Sequence, residues 1–146
     1  MSYTNLLYHV VYATKERAPL ITNALKSRLH EYLGGIVHGL GCTPIEINGV
    51  SDHVHLLVKL RPIISVSDFL AKLKSNSSGW AKRQTKGRFA WQARYGAFTV
   101  SESQVDNVRS YIRNQEKHHQ KMSFEEEFRA LLRAHHINFD EAHLWG

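Results

Sequence analysis

The chain has 146 residues, 42% hydrophobic and 22% charged, with 3 prolines and 9 glycines; it is too short for a second full domain and too poor in Pro and Gly for a long disordered linker. Cys42 is the only cysteine, which excludes an internal disulfide and a cysteine-rich zinc site, so any metal must be held by His, Asp, Glu, Gln or Asn, and 10 histidines are available. The net charge of +6 is concentrated: residues 59–94 carry nine basic side chains and one acid, Asp68, whereas residues 122–146 are net acidic, and the basic block fits either a polyanion partner or a solvated helix face.

No apolar run approaches the roughly 20 residues that span a bilayer, and Met1-Ser2-Tyr3-Thr4-Asn5 lacks the features of a signal peptide. A cytoplasmic location is therefore expected. Leu6–Tyr12 is rich in β-formers and predicts a first strand. After Pro19 and Thr22-Asn23, the spacing of Leu25, Leu29, Leu33, Ile36 and Val37 predicts a helix over about 24–38, stopped by Gly39 and Gly41. Ile45 and Ile47 alternate with polar neighbours and predict a half-buried strand over 43–50. Ser51-Asp52 turns the chain into a second strand, His53–Leu60, so the two form a hairpin that Pro62 ends.

Ser65 or Ser67 caps a helix through about Arg83, with Val66, Phe69, Leu70, Leu73, Ser77, Trp80 and Ala81 on one side and Lys72, Lys74, Lys82 and Arg83 largely elsewhere. Gly87 closes it. A short strand follows at about 97–100. A helix then runs from Ser103 or Gln104 to about Gln120, burying Val105, Val108 and Ile112. Ser123 and Glu126 form a capping-box pattern for a last helix carrying Phe124, Phe128, Leu131 and Leu132. The order β-α-β-β-α-β predicts an α+β, ferredoxin-like (RRM-like) fold: an antiparallel sheet with helices on one face, the other face open, and C-terminal helices appended. Residues 1–146 are read as a single domain with 122–146 as a helical tail.

His53 and His55 are two apart on a strand, so their side chains point to one side with Cα atoms roughly 6.5–7 Å apart. Val54, Leu56, Val58 and Leu60 face the helices, which leaves the two imidazoles on the open face as a metal-binding pair or as two solvated polar groups. Tyr111 and Gln115 are four apart on a helix and share a face at the margin of its apolar stripe. Taken together, two imidazoles and an amide oxygen supply three neutral ligands to a divalent metal and leave positions for phosphate oxygens. Such a metal acts as a Lewis acid on phosphate. Tyr111 is then the nucleophile at phosphorus; a phenol of pKa about 10 needs activation to serve. A phosphotyrosine stores the bond energy and permits rejoining without ATP, in keeping with a chain that contains no GxxxxGK[ST] loop.

These pieces resemble the single-tyrosine HUH transposases of the insertion-sequence 200/605 type, including relatives associated with repetitive extragenic palindromes. The resemblance covers nearly the whole chain. Ala13-Thr14-Lys15 with Arg17 and Pro19 resembles the segment after the family's first strand, and Ser51–Val58 its HUH strand. Leu73-Lys74 with Ser77-Ser78 and Trp80 resembles its basic second helix. Trp91-Gln92, Tyr95–Phe98 and Ser101–Ser103 resemble its fourth-strand region, and Tyr111-Ile112 with Asn114-Gln115-Glu116 and His118-His119 its catalytic helix.

The resemblance implies a DNA strand transesterase that cuts single-stranded DNA near hairpins at element ends and rejoins the strands. Its tyrosine becomes linked to the 5′-phosphate and leaves a 3′-hydroxyl. It implies Mg²⁺ or Mn²⁺ as cofactor, a homodimer with composite active sites, Tyr111 as nucleophile and His53, His55 and Gln115 as metal ligands. His119, four residues past Gln115, and His118, seven past Tyr111, are additional candidates for metal or phosphate, or form a polar helix end. Lys72, Lys74, Lys82, Arg83, Lys86, Arg88 and Arg94 are expected to contact DNA phosphates. Trp91 and Tyr95 fit either base stacking or packing, while Trp80 continues the apolar stripe. Alternatives are a non-catalytic single-strand binding module, which the two histidines on the sheet face disfavour, and a domesticated endonuclease that processes palindromes. A two-tyrosine initiator is disfavoured because no second tyrosine sits on the Tyr111 helix.

Overall fold

The structure, a computed structural model, describes residues 2–145. Four strands, β1 (Leu6–Ala13), β2 (Thr43–Val50), β3 (His53–Leu60) and β4 (Gly96–Thr99), form one antiparallel sheet in the order β2-β3-β1-β4. The helices are α1 (Asn23–Gly39), α2 (Val66–Gln84), α3 (Val105–Arg113), α4 (Gln115–His118) and α5 (Phe124–Ala134). Two predicted N-caps form as the sequence suggests, Ser65 accepting from Asp68 N–H and Ser123 from Glu126 N–H, and Thr22 adds a third by accepting from Leu25 N–H; each satisfies a donor that the first helical turn leaves unpaired. Among the described residues no helix is long and apolar enough to cross a membrane.

The period of two in the strands sorts the side chains onto two faces. On one, Val10, Tyr12, Val54, Leu56 and Val58 pack with Leu29, Leu33 and Val37 of α1 and Phe69, Leu70 and Leu73 of α2, all within 1% of complete burial. Each such aliphatic side chain contributes roughly 1.5–3 kcal/mol by leaving water.

The opposite face is not open as the sequence reading expected. Val11, Ala13 and Phe98 on it pack against Phe124, Phe128 and Leu132 of α5 and against Leu144. The physical reason lies in the strands: β1 and β3 are apolar at nearly every position, and both run as interior strands of the sheet. A strand that is apolar on both sides needs cover on both sides. The C-terminal helices therefore form a second layer over the histidine face.

The helix expected to run to Gln120 breaks at Asn114. Asn48 on β2 donates through its side-chain amide to the carbonyls of Ile112 (3.0 Å) and Arg113 (3.1 Å). Those acceptors sit at the end of a helix, where intrahelical partners run out, so the sheet edge caps α3 and fixes where it stops.

Burial lowers the His30 pKa to about 4, with Lys26 adding to the effect, and its Nε2 is buried without a hydrogen-bond partner among the described residues. The unfolded imidazole titrates near 6.5, so between that value and about 4 the unfolded chain binds a proton that the folded chain does not. Stability is then lost as pH falls through this window. His30→Leu is expected to flatten the decline in melting temperature between pH 6.5 and 4, which thermal unfolding across that range will measure.

Candidate metal and nucleophile site

β3 is hydrogen-bonded on both sides, so its two imidazoles project from a fixed backbone: His53 pairs with Ala13 and Val50, His55 with Val11 and Asn48. The close approach at the hairpin requires glycine, because a Cβ on Gly49 would stand 2.2 Å from the His53 carbonyl oxygen. Both histidines face the side expected from the sequence, but α3, α4 and α5 bury them completely.

Their Nε2 atoms converge on a carboxylate. Glu127 of α5, 1% exposed, places Oε1 at 3.0 Å from His55 Nε2, 3.3 Å from His53 Nε2 and 2.9 Å from His119 Nε2. Its Oε2 accepts the Tyr111 hydroxyl and the Gln115 amide, the latter at 3.2 Å. Gln115 Oε1 accepts from His53 Nε2 at 3.1 Å. His118 Nε2 stands 3.4 Å from Glu127 Oε2.

The far sides of the two strand imidazoles are also held. Asp52 lies 2.7 Å from His53 Nδ1. His9 of β1 lies 2.8 Å from His55 Nδ1, its ring stacked on that of His55 at 5.0 Å. A partner on one ring nitrogen sets which nitrogen faces inward.

Electrostatics follow from burial and these contacts. Burial alone would raise the Glu127 pKa, but hydrogen bonds from His119, His53 and His55 outweigh it and hold the carboxyl well below the usual carboxylate range. For His53, burial disfavours the imidazolium, yet the bonds to Asp52 and Glu127 and their charges raise its pKa to about 9. Burial lowers His55 to about 4 against the pull of Glu127, and lowers His9 to about 3 with help from His55. Burial, then the charge and hydrogen bond of Glu127, push the Tyr111 phenol above its ordinary value. In this arrangement Tyr111 is a protonated donor.

One ligand atom from each of His53, His55, His119 and Glu127 lies within 4.8 Å of all the others, a spacing that can hold a metal ion. Thus His53, His55, Tyr111, Gln115, His118 and His119 meet in one cluster, and Tyr111 reaches the histidines of its own chain. Sequence reasoning missed Glu127 and His9. Glu127 did carry a signal: it lies three residues after Phe124 and four before Leu131, an acid inside an apolar helical stripe, where charged groups are rare unless paired. His9 was hidden in the apolar run of β1.

The basic residues lie elsewhere. Lys72, Lys82, Arg83, Lys86, Arg88 and Arg94 are exposed on α2 and the segment that follows it. Lys74 is half-buried; its ammonium donates to the carbonyls of Gln92 (2.5 Å) and Arg94 (3.2 Å), and burial lowers its pKa to about 8. It tethers the 92–94 segment to α2. A groove of about 520 Å³ between them is lined by Lys74, Lys82, Trp91 and Tyr95 among others. Trp91 packs edge-on to Tyr12 and Phe89 and donates to Ser77 Oγ, which makes it part of the core margin, whereas Tyr95 is exposed.

Comparison with known proteins gives a consistent picture. A family model described as "Transposase IS200 like" matches residues 2–115. The chain is 28% identical over 117 residues to the ISDra2 transposase TnpA of Deinococcus radiodurans, covering 75% of this chain and 84% of that one. It is 27% identical over 118 residues to the transposase of insertion sequence element IS200 from Salmonella typhimurium, covering 76% and 77%. A crystal structure of a Deinococcus radiodurans R1 transposase superposes with a TM-score of 0.65 at 27% identity, covering 78% of this chain and 93% of that one. A REP-associated tyrosine transposase bound to a REP hairpin shares the fold, with a TM-score of 0.61 at 13% identity and coverage of 82% and 72%.

Because Asn48 holds the end of α3 just beyond Tyr111, Asn48→Ala leaves two helix-end carbonyls without this donor. It is expected to lower unfolding stability by about 1–3 kcal/mol, read from the denaturant midpoint.

Proposed function

The chain belongs to the IS200-like transposase family, and from that membership we propose that it is a metal-dependent single-stranded DNA transposase that cleaves and rejoins strands at hairpin-marked ends through a 5′-phosphotyrosine. The observation that carries this reading is the contact of the Tyr111 hydroxyl with the same buried carboxylate that the strand histidines face.

His53, His55 and Gln115, with His119 in reach, are the residues that would hold Mg²⁺ or Mn²⁺. The donors suit such an ion, being nitrogen and oxygen only: Gln115 Oε1 lies 3.1 Å from His53 Nε2, and one ring nitrogen from each of His53, His55 and His119 lies within 4.8 Å of the others. When bound, the ion supplies Lewis-acid polarisation of the scissile phosphate.

The protein's own groups account for the rest. Tyr111 is half-buried, and His118 keeps a side chain 31% exposed, so a strand has a side from which to approach. The phenolic oxygen bonds to phosphorus as the bond to the 3′-oxygen breaks. The phenol gives up its proton and the departing oxygen takes one. Attack by a 3′-hydroxyl on the phosphotyrosine runs the exchange backwards and joins strands without an external energy source. Burial, and then the charge of Glu127, hold the phenol further above its ordinary value, so compensating that charge eases the loss of the proton in the forward step.

Lys72, Lys82, Arg83, Lys86, Arg88 and Arg94 supply phosphate contacts along the DNA, which give affinity that falls steeply with salt. Lys74 acts in the same surface as a tether. A homodimer would present two such sites to paired DNA ends, in the cytoplasm where the nucleoid lies.

The test is incubation with a single-stranded hairpin oligonucleotide and Mn²⁺ or Mg²⁺. A covalent adduct that survives a denaturing gel is expected, falling to background in Tyr111→Phe and on chelation. An undiminished adduct in Tyr111→Phe, or tight hairpin binding with no adduct under either metal, overturns the reading.

A further inference from the structure

Resting on the reading above that Tyr111 attacks a single strand, we propose that the groove beside His118 is the subsite for the unpaired DNA that flanks the hairpin, with Lys117 and Lys121 holding its phosphates.

The groove has a volume of about 530 Å³ and is lined by Asn114, Lys117, His118, Lys121 and Met122. It reaches the nucleophile through one residue. The His118 ring stands edge-on to that of Tyr111, with centroids 5.4 Å apart, and its side chain is 31% exposed. A second groove bordering α4, of about 330 Å³, is lined by Asp52, Glu116 and His119 among others. The two differ in sign: the first offers two ammonium groups and no acid, the second two acids and no Lys or Arg. A polyanion is drawn to the first and turned away from the second.

The neighbouring cations are already engaged. Arg109 and Arg113 of α3 both reach Glu46 Oε1, at 3.2 and 3.0 Å, and Lys26 holds Glu116 at 2.6 Å. Lys117 and Lys121 are exposed and, among the described residues, enter no ion pair. They are four apart across the turn that follows α4, where Lys121 N–H donates to the His118 carbonyl at 3.2 Å, and both line the same groove. Half-buried Met122 lies with them. Two uncommitted ammonium groups suit a run of phosphates and fix its position without reading its sequence.

The basic residues of α2 and the segment after it border a separate groove, lined by Lys74, Lys82, Trp91 and Tyr95 among others. The hairpin stem and the strand that leaves it therefore have different seats, and only the second adjoins the phenol.

Fluorescence anisotropy on the full chain in EDTA, where no strand is cut, tests this with a bare hairpin and with the same hairpin carrying an unpaired extension on its 5′ or its 3′ side. Lys117→Gln/Lys121→Gln is expected to weaken the better-bound extended hairpin by roughly 10-fold, to lower its salt slope by about 1.4, at about 0.7 per single-strand phosphate contact, and to leave the bare hairpin unchanged. Lys117→Arg/Lys121→Arg, which keeps both charges, is expected to bind as wild type does. An equal loss on bare and extended hairpins, no loss on either, or a wild type indifferent to the extension overturns the proposal. So does a loss of extension binding confined to Lys82→Gln/Arg83→Gln. Melting temperature reports whether each variant is folded; should the double variant fail to fold, Lys117→Gln and Lys121→Gln are read singly, each with half the change in slope. Addition of Mn²⁺ separates the two readings: a wild type that prefers extended DNA through these lysines yet forms no adduct removes the transesterase reading and keeps the strand subsite.

Discussion

One buried carboxylate organises this protein. Glu127 gathers three imidazoles on one oxygen and a phenol and an amide on the other. Burying an ionised group without such partners costs several kcal/mol, so the helix that carries it must dock where they are. The apolar neighbours Phe124, Phe128 and Leu132 supply the driving force for docking against Val11, Ala13 and Phe98, and the charge sets the position. Packing and chemistry are thus satisfied by one helix in one place.

The same logic connects the two faces of the sheet. β1 and β3 offer apolar residues to α1 and α2 on one side, and on the other a mixture of apolar residues and histidines. The rings of His9, His55 and Tyr111 have centroids 5.0 to 6.0 Å apart. Their side chains share a desolvated region where each hydrogen bond is stronger, and each missing one more costly, than at the surface. Asp52 and His9 fix the outward nitrogens of His53 and His55, so the inward ones have little freedom of aim.

Much of this was legible in the chain. Period-two alternation in 43–50 and 53–60, and helical spacing in 24–38 and 66–83, reflect the burial of one side of each element, and those elements form within a residue or two of their expected bounds. His53 and His55 were placed on their face by the same alternation. The cover over that face was not foreseen, because a helix–sheet contact between residues 124–132 and 11–13 leaves no local periodic trace linking them. The unbroken apolar character of β1 was the available clue. The break at Asn114 was invisible for a related reason: its cause is Asn48, a side chain from another element. Glu127 was overlooked in a triplet of glutamates, where two face water and one does not.

The cluster draws on residues 9, 53, 55, 111, 115, 119 and 127, and α5 is its last contributor in chain order. On the ribosome the imidazole pair and the phenol emerge well before α5 does. A nascent chain therefore carries the imidazole pair and the phenol while lacking the helix that seals them from water, and folding can close the cluster only after α5 has been made. Closure arrives with α5, together with the second layer over the sheet.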